Sequence, residues 1–228
     1  MAHHSFTIIV PALNEEGLLG PTLDQIIEIM KNGFEDFEIL VFDDASTDRT
    51  GEVAESYAKK YKNIRVIHNS TTSGIGYSYK KGIEIATKEQ YILIHGDNEI
   101  GAELMKRLFG SVDEADFIIS YIEEDSRSGT RRLLSKLFTK LINGLFGLNV
   151  RYYNGPNLIP LRLLKEISIL TNGHAFMAEI IVRLKKKGYR YQEIGFKTQV
   201  RPEGKSKAFR IKNIISVLRA ILELRHSL

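Results

Sequence analysis

Tyr91 to Gly101 reads YILIHGDNEIG, an apolar run that stops at Asp97, Asn98 and Glu99. The run Tyr91-Ile92-Leu93-Ile94 is expected to be a buried parallel strand. Two carboxylates spaced i, i+2 just past such a strand lie where open α/β sheets bind ligands, outside the carboxyl ends of the strands. Oxygen ligands on a short segment suit a hard divalent cation, Mg²⁺ or Mn²⁺. Taken alone, the segment reads more readily as a solvated turn after a strand. Two further strand ends carry polar clusters, Pro11-Ala12-Leu13-Asn14-Glu15-Glu16 and Asp43-Asp44-Ala45-Ser46-Thr47-Asp48. Three such ends facing one crevice favour a site over a chance turn. Carboxylates repel phosphate, so they would bind sugar hydroxyls, base N–H groups, or a cation that in turn holds a diphosphate. That combination describes a nucleotide-sugar pocket.

These ends need a scaffold. Phe6 to Val10, Phe37 to Phe42, Ile64 to Ile67, Tyr91 to Ile94 and Phe117 to Ile119 read as strands. Between them, Leu18, Leu19, Leu23, Ile26, Ile27 and Met30 recur at helical spacing, and 50–61 and 76–86 also read as helices. The alternation predicts an α/β fold: a mostly parallel central sheet, helices on both faces and right-handed crossovers. Beyond residue 121 the pattern changes. Glu123 to Gly129 reads as a polar loop, 131–148 as a helix with a broad apolar face, and 149–160 as irregular with short strands. A helix over 175–187 should close at Gly188, two strands should follow over 189–194 and 196–200, and 207–224 should form a C-terminal amphipathic helix. With no repeat and no low-complexity linker, one domain over 1–228 is expected, with 6–121 as its nucleotide-sugar half and 122–228 as its acceptor half.

Composition excludes several chemistries. The chain has 228 residues and no Cys, which removes disulfides, thiolate catalysis and Cys-based zinc sites. Met1-Ala2-His3-His4-Ser5 resembles a tag remnant, so its histidines are set aside, and no secretory signal is visible before Phe6. Charge interrupts every apolar stretch well before the ~18 residues a membrane span needs. The net charge of +4 is concentrated late, at Lys185-Lys186-Lys187, Arg190, Lys197, Arg201, Lys205, Lys207, Arg210 and Lys212. That excess suits phosphate groups or an acidic membrane surface, although Lys185 to Lys187 read equally as a solvated face. No nucleic-acid partner is expected. A Rossmann dehydrogenase is disfavoured because no G-x-G-x-x-G follows the first strand.

Four segments carry a resemblance. IIVPALNEE, FDDASTDRT, SGIGYSYKKGIEIA and QVRPEGKSK occur in order across nearly the whole chain. Together they resemble a family-two glycosyltransferase of GT-A fold, most like the dolichyl- or polyprenyl-phosphate mannose synthase branch. The resemblance implies transfer of a hexose from GDP- or UDP-hexose to a polyprenyl or dolichyl phosphate, with Mg²⁺ or Mn²⁺ as cofactor. It places Pro11, Ala12, Asn14 and Glu15 in the nucleoside pocket and one of Asp43 and Asp44 on the base. It places Gly74 and Lys81 on the ribose side, with His95 and Gly96 completing the donor site. Asp97 and Glu99 would hold the metal, and Asp97, Arg201 and Lys207 would serve the catalytic step. Arg127, Arg131, Arg132, Ser135 and Ser206 would meet the acceptor phosphate, to which the guanidinium fork is suited. His174 reads as a neighbour of a helix start, and Glu179 as an anchor for an arginine.

Three positions depart from the family pattern. His95 stands where the family has the first Asp of Asp-x-Asp, Glu99 where the branch has Gln, and Ser73 where it has Asn. Imidazole can bind Mn²⁺ or contact a phosphate but is a poor Mg²⁺ ligand, and the added charge of Glu99 offsets the missing carboxylate; the mild reading is an altered donor preference and the harsh one a weakened or lost transferase activity. A glycan or cell-wall acceptor, and a non-catalytic nucleotide-sugar-binding protein, are the competing readings. The apolar faces over 133–146 and 211–222 carry flanking Lys and Arg, which suits helices lying in a bilayer interface, and equally suits core packing. The expected location is cytoplasmic, peripheral at the cytoplasmic face of a membrane, by surface contact or through a membrane-embedded partner subunit.

Overall fold

The apolar runs form strands because their β-branched and aromatic side chains are buried on both faces of one sheet. The computed structural model describes residues 4–34, 36–173, 175–197, 220–221 and 223–227. Its elements are β1 (Phe6–Ala12), α1 (Leu19–Gly33), β2 (Phe37–Asp43), α2 (Thr50–Lys60), β3 (Ile64–His68), α3 (Ile75–Ile85) and β4 (Gln90–Leu93). They continue with α4 (Ala102–Gly110), β5 (Phe117–Glu124), α5 (Gly129–Phe146), β6 (Leu158–Pro160), α6 (Leu161–Lys165), α7 (Phe176–Lys186) and β7 (Tyr191–Lys197).

The strands form one seven-stranded sheet in the order β3-β2-β1-β4-β6-β5-β7. Every pairing is parallel except those of β6, which runs against both β4 and β5. The chain leaves β1 toward β2 and β3, then returns to place β4 on the other side of β1. The gap between the ends of β1 and β4 is therefore the point at which the strand order reverses, where α/β sheets bind ligands.

Alternate strand residues feed two cores, as a two-residue period requires. Ile8, Val10, Ile39, Val41 and Ile92 pack with α1, with Ala54 of α2 and with Leu104, Met105, Leu108 and Phe109 of α4. Ile9, Leu40, Phe42, Tyr91 and Leu93 face the opposite way, against Tyr79 of α3, Ile142 and Phe146 of α5, and Ile180, Ile181 and Leu184 of α7. Helices cover both faces, as expected.

The structure corrects several local expectations. It adds α4 and α6, and the helical spacing of Leu104, Met105, Leu108 and Phe109 is the signal for the first. The polar residues Glu123 and Glu124 extend β5 instead of opening a loop, because β7 pairs alongside as far as Lys197. Residues 191–197 form one strand, not two, and Gly195 sits within it. The broad apolar face expected near 131–148 is only partly buried. Ile142 and Phe146 enter the core, while Leu133, Leu137 and Leu141 are 58%, 53% and 39% exposed. Among the described residues no helix is long and apolar enough to cross a membrane.

Candidate active site at the strand-order reversal

Backbone hydrogen bonds carry the sheet pairing past the strands and hold their ends in a row. Asn69 N–H donates to Asp43 O at 2.9 Å, Asp44 N–H to Ala12 O at 2.9 Å, and Gly96 N–H to Pro11 O at 3.2 Å. The row therefore runs from the end of β3 through β2 and β1 to β4. At Gly96 a β-carbon would lie 3.2 Å from Ala12 Cβ and 3.3 Å from both Leu19 Cδ1 and Pro11 O. Glycine lets the β4 tip sit close against β1, and so sets where Asp97 leaves the sheet.

Among the described residues three besides glycine have positive φ, and each lies in a loop of this row: Asn14 (56°), Ala45 (61°) and Asn98 (54°). Backbone strain of this kind clusters at functional sites. The first two loops are laced together. Asn14 N–H donates to Ser46 Oγ at 3.0 Å, and Asn14 Oδ1 accepts from Thr47 N–H at 2.8 Å. Glu15 N–H donates to Thr50 Oγ1, Glu16 N–H to Asp48 Oδ2, and Arg49 N–H to Glu16 Oε2. Asp48 also accepts from Thr50 N–H at 2.9 Å, which secures the start of α2. Asn14 thus serves first to join the two loops that follow β1 and β2.

Asp43 and Asp44 are both buried, at 7% and 6% exposure. Asp44 accepts from Asn69 Nδ2, Ser73 N–H and Gly74 N–H, so it fixes the loop that enters α3. Asp43 accepts from Ser46 N–H at 3.0 Å and meets His68 Nδ1 at 2.9 Å. Burial alone would raise its pKa, but the Ser46 and His68 hydrogen bonds outweigh that and hold the carboxyl below its usual range. Lys81 pairs with Glu84 one turn along α3.

At the β4 tip His95 is exposed, whereas Asp97 and Glu99 are half-buried. Glu99 N–H donates to Asp97 Oδ1 at 3.2 Å, an Asx turn around the left-handed Asn98. Among the described residues no group of three His, Cys, Asp or Glu side chains converges as a ready cation site. The donor set still fits Mg²⁺ or Mn²⁺ of the kind bound through one or two carboxylates and completed by substrate phosphates and water.

Before α5, Arg127 grips Asp125 with both Nε and Nη2, at 2.7 and 2.6 Å, and its Nη1 donates to Tyr152 Oη at 3.2 Å. The Arg127 guanidinium holds the Asp125 carboxyl below its usual range against the opposing effect of burial. Arg131 lies in the first turn of α5 and Arg132 and Ser135 follow it, with no acidic residue in that turn. Arg132 Nη1 donates to Asp125 O at 3.2 Å. Arg201, Ser206, Lys207 and His174 lie outside the described residues, as does most of the C-terminal amphipathic segment.

Two features were not anticipated. The end of β3 joins the site through His68 and Asn69, and its signal was the polar His-Asn pair after Ile64 to Ile67. The second is the segment 170–173. Buried Glu179 accepts from Leu170 N–H and Thr171 N–H, each at 3.0 Å, and from Arg183 Nε at 3.0 Å. The arginine partner was expected; the loop was not. Asn172 O in turn accepts from Gly76 N–H at 3.2 Å. A β-carbon at Gly76 would lie 2.6 Å from that oxygen, so glycine is required for the contact.

The family model described as "Glycosyl transferase family 2" matches residues 7–167. Poly(ribitol-phosphate) beta-glucosyltransferase of Bacillus spizizenii is 29% identical over 178 residues, covering 76% of this chain and 28% of that protein. The chain spans less than half the length of several curated relatives, this one included. Undecaprenyl-phosphate mannosyltransferase of Micrococcus luteus is 25% identical over 211 residues, covering 87% of this chain and 85% of that protein. Among solved structures, glucosyl-3-phosphoglycerate synthase from Mycobacterium tuberculosis in complex with Mn²⁺, uridine-diphosphate-glucose and phosphoglyceric acid superposes with a TM-score of 0.75. It is 16% identical, and the match covers 99% of this chain and 81% of that one. That likeness fixes the fold as GT-A.

Proposed function

Since the chain belongs to glycosyl transferase family 2, we propose that it moves a hexose from a nucleotide sugar to a polyprenyl phosphate with the help of a divalent cation. The observation that carries this reading is the row of polar strand ends at the β1/β4 reversal, with Gly96 packed so that Asp97 and Glu99 leave the sheet there. Asp97 and Glu99 would hold the cation, which when bound neutralises charge on the nucleoside diphosphate. The Mn²⁺ and uridine-diphosphate-glucose in the mycobacterial synthase support the same classes of cofactor and donor here.

The first turn of α5 supports a phosphate acceptor. Basic side chains there oppose the helix dipole, a cost of about 0.3–1 kcal/mol each that a bound anion removes. Arg127, held by Asp125 and Tyr152, sets the entry to that turn. Arg131, Arg132 and Ser135 are the groups offered to the phosphate, with Arg201, Ser206 and Lys207 assigned to it by the family motif. The Micrococcus mannosyltransferase, matched along most of both chains, supports a lipid phosphate.

The acceptor oxygen is already anionic at neutral pH, so the chain need not supply a strong general base. That oxygen bonds to the anomeric carbon, the bond from that carbon to the diphosphate oxygen breaks, and configuration inverts. The protein's part is to align the two and stabilise charge on the leaving group. A lipid acceptor requires a membrane surface, and the exposed Leu133, Leu137 and Leu141 with Lys136 and Lys140 supply an amphipathic face for one. A second reading is a polyol-phosphate or glycan acceptor, favoured by the similarity to the Bacillus glucosyltransferase.

The test is a panel of UDP- and GDP-hexoses offered with Mn²⁺ and either polyprenyl phosphate or poly(ribitol phosphate), and read by product formation. Transfer to the lipid phosphate that is lost in Asp97→Ala is the expected result. Transfer to poly(ribitol phosphate) alone selects the second reading. Nucleotide binding without transfer to any acceptor would make this a non-catalytic binding protein, as the His95 departure allows.

A further inference from the structure

We infer that His68 is a positioning residue of the donor site: as an imidazolium it ties Asp43 to Glu55, and donor affinity weakens when the ring loses its proton. The inference rests on the donor-site reading above and adds a pH-dependent control to it.

Geometry carries the claim. His68 ends β3, directly opposite Asp43 in the parallel register. Its Nδ1 lies 2.9 Å from Asp43 Oδ2, and its Nε2 lies 3.0 Å from Glu55 Oε1 on α2. A neutral imidazole has one N–H and one lone pair. With a carboxylate oxygen against each nitrogen, a neutral ring sets a lone pair against an anion on one side or the other. Only the doubly protonated ring donates to both.

The setting is closely fitted. A β-carbon on Gly51 would lie 2.9 Å from Asp43 Oδ2 and 3.3 Å from His68 Cε1, so the first turn of α2 can press against the pair only because Gly51 has none. Asp43 of β2 and Glu55 of α2 are the charged groups that meet the ring, and no cation opposes it there among the described residues. Hydrogen bonds donated by the ring to Asp43 and then to Glu55 raise the His68 pKa above its ordinary 6.5, against a smaller opposing effect of burial.

The consequence for the site follows through Asp43. Ser46 N–H and His68 hold its two oxygens, and Ser46 also accepts from Asn14 N–H. His68 therefore fixes the carboxylate that anchors both the Asn14 loop and the Ser46 loop. Deprotonation leaves Asp43 with one weakened partner and loosens the nucleoside side of the pocket. His68 needs no contact with the nucleotide for this.

Two measurements test it on the full chain. NMR titration of the imidazole nitrogens reads the ring directly. His68 is expected to stay cationic above pH 6.5, and Glu55→Gln is expected to lower its midpoint. Calorimetry with UDP and with GDP, each with Mn²⁺, reads the consequence from pH 6 to pH 9. The dissociation constant of the parent is expected to rise about threefold more than that of His68→Gln, whose binding is already weak at pH 6 and flatter with pH, a size suited to half-exposed ion pairs. Glu55→Gln, on the exposed side of α2, should fall between them. Parallel pH profiles for parent and His68→Gln would overturn the inference and leave the donor site standing. A parent that binds neither nucleotide at any pH would end both.

Discussion

At the scale of single residues, the site is built from carboxylates that work mainly on the protein itself. Asp43, Asp44 and Asp48 each accept backbone N–H groups from the loops beside them, and through those bonds they shape the loops at the β1/β4 reversal. The Asp43–His68 pair also links stability to pH. His68 has a raised folded pKa, so its contribution is complete below its ordinary 6.5 and is lost as pH rises through the raised value. Asp43 has a depressed folded pKa, so its contribution is present above 3.8 and is lost as pH falls through the folded value. Ala45 carries strain of another kind. Its φ of 61° disfavours any L side chain by about 1–2 kcal/mol, of which the unfolded-state freedom of glycine returns about 0.5–1. Ala45→Gly is therefore expected to stabilise the fold by about 0.5–1 kcal/mol in urea titrations. A loss of stability would show that the Ala45 methyl makes contacts worth more than the strain. Asp97→Ala is expected to lower turnover by about a hundredfold or more with the fold intact, a size typical of removing one group that stabilises developing charge. Parent-like turnover would sink the assignment of Asp97.

At the scale of elements, helix ends decide what meets at the site. The start of α3 is held by Asp44 through Ser73 and Gly74 on one side, and by Asn172 through Gly76 on the other. Buried Glu179 fixes Asn172 by gripping the two preceding N–H groups. The donor loop and the segment before α7 are thus one connected piece. Gly76→Ala, whose methyl would lie 2.6 Å from Asn172 O, is expected to cost about 1–3 kcal/mol and to weaken nucleotide binding together with it. Gly144→Ala provides the contrast. A methyl there on α5 meets nothing within 4 Å, and alanine is the better helix former, so a gain of about 0.5–1 kcal/mol is expected. Urea titrations of both proteins check the pair, and equal effects would refute the packing argument.

At the scale of the whole molecule, one sheet runs through the chain. In the proposed reading, strands β1 to β4 would carry the donor side, and β5 to β7 would extend the same sheet under the acceptor side. Helix α5 stands out from this body, anchored by Ile142 and Phe146 while its earlier turns expose Leu133, Leu137 and Leu141. If that face meets a lipid surface, the chain should sediment with anionic vesicles and release as salt rises. Leu133→Ser with Leu137→Ser should then weaken sedimentation about tenfold or more, as expected for losing two apolar anchors, without altering nucleotide binding. Equal sedimentation of parent and variant would remove α5 as the contact.

The sequence alone determined the strands, most of the helices and the polar character of the strand ends, because burial on a pleated or helical surface imposes a period that is local in the chain. It also determined the Asp97–Glu99 carboxylates and the family, since both reside in contiguous segments such as FDDASTDRT. Tertiary structure decided the rest. The reversed direction of β6, the merging of 191–197 into one strand and the extension of β5 through two glutamates depend on which strand lies alongside. The pairing of His68 with Asp43 and Glu55 joins β3, β2 and α2, and Glu179 reaches the start of α3 through the segment that holds Asn172. Such contacts bring together residues distant in the chain, and no local period encodes them. A hydrogen bond between separate elements exists only once the sheet has set the distance.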